Sequence, residues 1–194
     1  MSRIAEPEKI ENIKMATMEA LLEYGYGGMT IESISKKAGV SPGYLYRHYK
    51  SKEELVQELL DSAMDEIIGS FISDIDSSDS LYEAGYKTIN KLFVKANLEP
   101  LLARFSAAVV MDIKIPSKDK ADNFKPILEL ADKCIRLGIK TGELKSKVTA
   151  MEVLVVSFMI PFRYLSISLE INKYRKFTSE EVQRVAEICV NALK

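Results

Sequence analysis

TIESISKKAGVSPGYLYRHYKSK, residues 30–52, is the stretch that decides how this chain folds. Thr30 is a suitable N-cap, and Ile31, Ile34 and Ala38 fall on one face of the short helix it starts. Gly39 can take the left-handed conformation that ends such a helix. Ser41 caps the next helix, with Pro42 at its first position, where the missing N–H costs nothing. Val40 and Leu45 are spaced as a hydrophobic staple across that cap. Two short helices joined by a tight turn containing glycine form a helix-turn-helix.

The second helix reads face by face. At the α-helical repeat, Leu45 and Tyr49 point inward together. Gly43, Tyr44 and Arg47 then lie on the opposite side, with Tyr46 and His48 flanking them. Glycine in a helix costs about 1 kcal/mol relative to alanine, so Gly43 needs a reason, and close approach to another surface supplies one. Residues 36–52 hold Lys36, Lys37, Arg47, Lys50 and Lys52 and no acid, with Tyr44, Tyr46 and Tyr49 among them. A basic cluster alone is more often a solvated helix face. Here cap, turn, staple and charge agree, so the segment reads as a double-stranded DNA reader.

Outward from this segment the chain reads as all-α. Ile10, Ile13, Thr17, Ala20, Leu21 and Tyr24 recur at helical spacing before Gly25, Gly27 and Gly28. Capping-box pairs stand at Ser51/Glu54, Ser80/Glu83, Thr149/Glu152 and Thr178/Glu181, each ahead of an apolar periodic run. The pattern predicts helices near 8–25, 31–38, 42–49, 52–74, 81–97, 100–112, 122–140, 150–172 and 179–193. Polar residues 73–80 and the stretch 115–123 around Pro116 read as loops. The apolar run 153–169 approaches the length of a membrane span. Pro161 and Arg163 in its middle favour burial in protein, at a subunit interface, and no membrane partner is expected.

Composition bounds the function. Apolar residues make up 47% of 194, enough to repay the entropy of ordering the chain, which argues against disorder. Cys134 and Cys189 are too few for a disulfide framework, and MSRIAEPEKIEN does not resemble a signal peptide, so a reduced, cytoplasmic setting is expected. One histidine, no metal-ligand spacing, no phosphate-cradling glycine loop and no nucleophile–base pair argue against an enzyme, a metal site or a cofactor. The net charge of −1 counts against a nucleic-acid partner until the +5 of residues 36–52 is seen within it.

The residues from about Ile10 to Val56 resemble the tetracycline-repressor (TetR) family of bacterial transcriptional regulators. The resemblance rests on Ile13, Ala16 and Leu21 before Gly25-Tyr26, then Thr30-Ile31, Ile34 and Ala38-Gly39-Val40-Ser41. It continues through Gly43, Leu45-Tyr46, His48-Tyr49, Ser51-Lys52-Glu53 and Leu55. It implies an N-terminal three-helix DNA-binding domain over 1–51 and a helical ligand-binding and dimerisation domain over 52–194. By position, Ser41, Gly43, Tyr44 and Arg47 would face the major groove, while Thr30, Tyr46, His48 and Lys52 would contact phosphates. Pro42 departs from the family, many of whose members carry a polar residue there, and this shifts base discrimination toward Tyr44 and Arg47.

The resemblance also implies a homodimer, paired through helices 150–172 and 179–193 and reading a palindromic operator. A small-molecule effector would occupy a pocket lined by Phe71, Phe93, Phe105, Phe124, Phe158 and Phe162, and would release the protein from DNA by tilting the fourth helix. Gly69 in that helix either eases the bending or is a small residue at a helix crossing. Arg163 either pairs with an acid such as Asp112 or binds an anionic ligand. A helical sensor or adaptor that has lost DNA binding is the competing reading, which would predict disrupted groove-facing residues. Tyr44, Tyr46, Arg47 and Lys52 are all present.

Overall fold

The computed structural model describes residues 6–111, 120–144 and 147–194. All regular structure in them is helical: α1 (Glu6–Gly28), α2 (Ile31–Ala38), α3 (Pro42–His48), α4 (Lys52–Asp76), α5 (Leu81–Leu98), α6 (Pro100–Met111), α7 (Lys120–Lys140), α8 (Ala150–Ile171) and α9 (Ser179–Ala192). The helices match those expected from periodicity. The chain divides into two compact units, residues 1–63 and 64–194, rather than at 51/52. The boundary moves because the start of α4 belongs to the first unit. Leu55, Val56 and Leu59 there are buried, and Lys14 of α1 pairs with Glu58 of α4 at 3.3 Å.

In the first unit α1 packs on α2 and α2 on α3. Ile13, Ile34, Leu45 and Leu55 are fully buried, as their shared faces require. The break expected at Gly25 is present as a kink inside α1, where φ 65° and ψ 175° are accessible to glycine. Thr30 caps α2 by accepting from the Ser33 amide at 3.1 Å, and Ser33 Oγ accepts from the Thr30 amide in return. This box uses serine at the position where the S/T-x-x-E pattern places glutamate. Gly39 ends α2 in the left-handed region at φ 68°.

In the second unit α5 packs on α6 and α9, while α6 meets the C-terminal half of α8 and α7 its N-terminal turns. Thr149/Glu152 and Thr178/Glu181 form the expected reciprocal boxes. Ser51 and Ser80 cap as expected, but Glu54 and Glu83 accept from the amides of Lys50 and Asp79, one residue before the cap. Two polar ties join distant segments. The Glu143 carboxylate accepts from the amides of Leu81 (2.6 Å) and Tyr82 (2.9 Å), capping α5 from the loop after α7. Asn97 exchanges two 2.8 Å bonds with the backbone of Phe177, pinning the α8–α9 connection to the end of α5.

The apolar helix α8 is not a uniform cylinder. Residues Val155–Met159 form a π-turn just ahead of Pro161. Proline lacks an N–H and crowds the carbonyl four residues back, so the widened turn absorbs the misfit. By length and composition α8 could cross a bilayer, but its exposed stripe reads Met151, Val155, Met159, Arg163, Ile167 and Ile171, with a cation in its midst.

Candidate DNA-reading face and ligand cavity

The helix-turn-helix presents α3 with an outer face of Gly43, Tyr46, Arg47 and His48. Ser41 Oγ accepts from the Tyr44 amide at 3.1 Å, which engages the oxygen as a cap and leaves the hydroxyl proton free to donate. Thr30 stands in the same relation to α2 and is likewise exposed. Gly43 has an ordinary helical φ, and a Cβ there would meet nothing within 4 Å. Nothing inside the protein therefore requires glycine at 43, which fits a position approached closely from outside.

Two residues expected to face DNA are engaged with protein instead. Tyr44 is only 6% exposed, folded under Lys9 (4.9 Å from its ring centre), Arg47 (5.1 Å) and the His48 ring (4.8 Å). Its hydroxyl is buried without a hydrogen-bond partner among the described residues, yet close enough to Glu6 to hold that carboxyl below the usual range, helped by Lys9 and His48. His48 Nε2 lies 3.4 Å from the same carboxylate. A helical wheel cannot foresee this, because α1 supplies the cover from more than thirty positions away. Lys52 Nζ donates to the carbonyls of Tyr26 (3.1 Å) and Met29 (3.2 Å) and lies 4.3 Å above the Tyr26 ring. It closes the end of α1, where carbonyls lack helical partners. Tyr26 in turn donates to Glu53, and burial together with that bond pushes its phenol up to about 12.

Of the five cations in 36–52, Lys37 pairs with Glu19 at 2.5 Å and Lys52 is engaged as above. Lys36, Arg47 and Lys50 remain exposed and without an ion-pair partner among the described residues. The net positive face is thus narrower than the count of residues suggested.

The second unit holds a small apolar cavity of about 40 Å³ bounded by Phe71, Ile75, Gly85, Ile89, Cys134 and Leu193, among others. Phe71 stacks on Phe158 at 4.2 Å, with planes 8° apart. A second cleft, of about 190 Å³, shares Phe71 and Thr88 with it and adds Phe162, Leu92, Lys91 and Lys95. Of the phenylalanines expected to line a pocket, Phe71 and Phe162 do so, and Phe158 backs Phe71. Phe93 packs instead between Tyr164 and Phe177, and Phe105 is buried in the core away from both spaces. The side chain of Phe124 lies outside the described residues, as does Asp112. Arg163 is exposed on the outer stripe of α8 and lines neither space, so the ligand-contact expectation for it fails. It has no ion-pair partner among the described residues. Cys134 and Cys189 are free thiols whose pKa burial pushes up to about 12, consistent with inert apolar packing.

Residues 13–59 match the family described as bacterial regulatory proteins, tetR family. Among curated proteins the chain is similar to the fatty acid metabolism regulator protein of Bacillus subtilis (strain 168), with 27% identity over 67% of this chain and 68% of that protein. It is also similar to the HTH-type transcriptional repressor KstR2 of Mycolicibacterium smegmatis, 37% identical over 35% of this chain and 32% of that protein. Among solved structures, FadR from Bacillus subtilis in complex with stearoyl-CoA superposes with a TM-score of 0.73 at 22% identity, over 95% of this chain and 99% of that one.

Proposed function

We propose that this chain, whose residues 13–59 match the family described as bacterial regulatory proteins, tetR family, is a cytoplasmic homodimeric repressor of that family, released from a palindromic operator by an acyl amphiphile. The observation that carries the DNA half is the outer face of α3, where exposed Arg47 stands beside a glycine the protein itself does not need. Arg47 can pair bidentately with guanine, Gly43 permits the backbone to approach the groove, and Tyr46, 53% exposed, can reach a phosphate. Thr30, Ser41, Lys36 and Lys50 supply phosphate contacts, and His48 does so once it leaves Glu6. Tyr44 and Lys52 act first as supports that hold α3 and α4 in place. Turning Tyr44 out would bring its hydroxyl to a phosphate.

The exposed apolar stripe of α8, with Ile188 on α9, is the surface on which a second copy would pack. A two-fold pair of α3 helices reads two half-sites in register with the DNA repeat. For the effector, a cleft with an apolar wall and lysines at its rim, beside a small apolar cavity that would have to widen, suits an acyl chain with a charged end. The similar regulator bound to stearoyl-CoA supports that class. Such a ligand releases DNA only by binding the released state more tightly, and α4 carries the chain from the first unit into the second.

The test is selection of DNA sites from a genomic library by the purified protein, followed by titration of the recovered site with dodecanoyl-CoA. Recovery of palindromes that the wild type binds, and that the amphiphile clears, is the expected result. Failure to enrich any site at moderate salt would sink the DNA half, and an operator complex indifferent to the amphiphile would sink the effector half.

A further inference from the structure

Three lysines one turn apart on α5, Lys87, Lys91 and Lys95, reach across to the second half of α4 and the turn just after it as rungs of a ladder. Lys87 Nζ donates to the Ser77 carbonyl at 2.8 Å, Lys91 lies 2.5 Å from Asp74 Oδ1, and Lys95 lies 2.7 Å from Glu66 Oε1. The lower two rungs border the cleft whose apolar wall is Phe71, Leu92 and Phe162. A chain lying along that wall therefore meets two ammonium groups at its end.

The two rungs differ in how their acids are solvated. The Glu66 side chain is exposed, so water can replace Lys95 as its partner at little cost. Asp74 is 3% exposed, while Lys91 opposite it is 53% exposed. Besides Lys91, the hydrogen-bond donor on its carboxylate is Thr88 Oγ1, at 3.0 Å from Oδ2. Removing the cation from a buried pair leaves an uncompensated charge, which is far more costly than breaking an exposed pair. Thr88 also lines both the cleft and the apolar cavity, so this pair sits at the junction of the two.

We propose that the cleft mouth is an anion site for the head group of the effector, and that Lys91 is the switch, exchanging Asp74 for that head group. This rests on the effector reading above. A carboxylate or phosphate arriving at the cleft competes for Lys91 from its open side. Once Lys91 turns to it, Asp74 can regain a partner only if the segment of α4 carrying it moves toward water. The ligand thereby favours a displaced α4 through a charge it never touches, which is the differential interaction that a population shift requires. Lys95 adds attraction for the anion but not the coupling, because Glu66 has no need to move.

The experiment uses the full chain on a selected operator, with dodecanoate, dodecanoyl-CoA and neutral dodecanol as probes. Wild type is expected to bind the anionic probes about tenfold more tightly than dodecanol. Asp74→Asn, which keeps an oxygen for Thr88 to donate to, is expected to bind the anionic probes more tightly still. It should nevertheless stay on the operator, with the ligand-induced loss of DNA affinity reduced about tenfold. Glu66→Gln should release as wild type does. Asp74→Asn/Lys91→Gln removes both charges and should keep only the weaker preference for anionic probes that Lys95 supplies, with wild-type melting as the check on folding. A response to dodecanoate identifies a carboxylate as sufficient, and a response to dodecanoyl-CoA alone assigns the head group to its phosphates. Equal affinity for anionic and neutral probes, or normal release in Asp74→Asn, overturns the switch while leaving the repressor reading intact. A wild type that binds DNA but none of the probes overturns the effector class and the switch together.

Discussion

The helix-turn-helix unit and the second unit are both helical cores, but they place their candidate sites on opposite sides of the packing. In the first unit the interior is closed around Ile13, Ile34, Leu45 and Leu55, and the candidate DNA-reading residues stand outside on α3. In the second the candidate ligand-facing residues point inward, around the cavity that shares Phe71 and Thr88 with the lysine-rimmed cleft. An outward face is defined by one helix and its periodicity. An inward space is defined by several helices at once, so the same residue type there is wall, backing or plain core according to its neighbours.

The contrast breaks first at a core residue expected to line the pocket. Phe105→Ala should cost about 3–5 kcal/mol, the range for a buried aromatic, and lower the melting temperature without changing probe selectivity. A selective loss of ligand affinity at wild-type stability would return Phe105 to the pocket. On the outer face, Arg47→Ala should lose about 1–3 kcal/mol of discrimination at one base position per half-site, read by repeated site selection. Its melting temperature should not move, since the side chain is exposed.

Lys52→Ala is the sharper probe of the first unit. A phosphate contact alone would weaken all DNA sequences and lower the salt slope by about one unit. The bonds to Tyr26 and Met29 add a fall in stability of about 1–2 kcal/mol that thermal melting detects without DNA.

A pH series tests the tie across the second unit. Burial alone would raise the Glu143 pKa, but bonds from Thr141 and the amides of Tyr82 and Leu81 outweigh it, and the carboxyl is held below 4.5. A depressed folded pKa means stability present above the unfolded value and lost as pH falls through the folded one. Wild type should therefore lose about 1 kcal/mol from this group as pH drops below about 4.5, and Glu143→Gln should lack that component. The smallest effect is at Gly69. A Cβ there meets nothing within 4 Å, so no helix crossing demands the glycine. Gly69→Ala should stabilise α4 by about 0.5–1 kcal/mol, and should raise the probe concentration for half-release if bending at 69 is used. Unchanged release would remove the hinge.

Much of the first unit was legible because its signals are local. Thr30, Gly39, Ser41 and Pro42 act within four residues of themselves, and the structure places each as its chemistry requires. Tyr44 was misread because burial there depends on Glu6 and Lys9 of α1, and a wheel drawn for α3 alone contains neither. The carbonyl partners of Lys52 were hidden for the same reason, lying at and just past the far end of α1. In the second unit the phenylalanines carried no label separating wall from core. The π-turn ahead of Pro161 and the Asp74–Lys91 pair likewise have no local signature.

The sequence by itself determined where helices begin and end and which faces are apolar, because caps, proline and glycine conformations and the 3.6-residue repeat operate over one or two turns. It also determined that a short basic helix follows a glycine turn. Tertiary structure alone decided which of the five cations are engaged with other protein groups, which aromatic rings border empty space, and that Asp74 is buried beside an exposed Lys91. Those outcomes depend on desolvation and pairing between segments far apart in the chain, and such energies exist only once the helices have met.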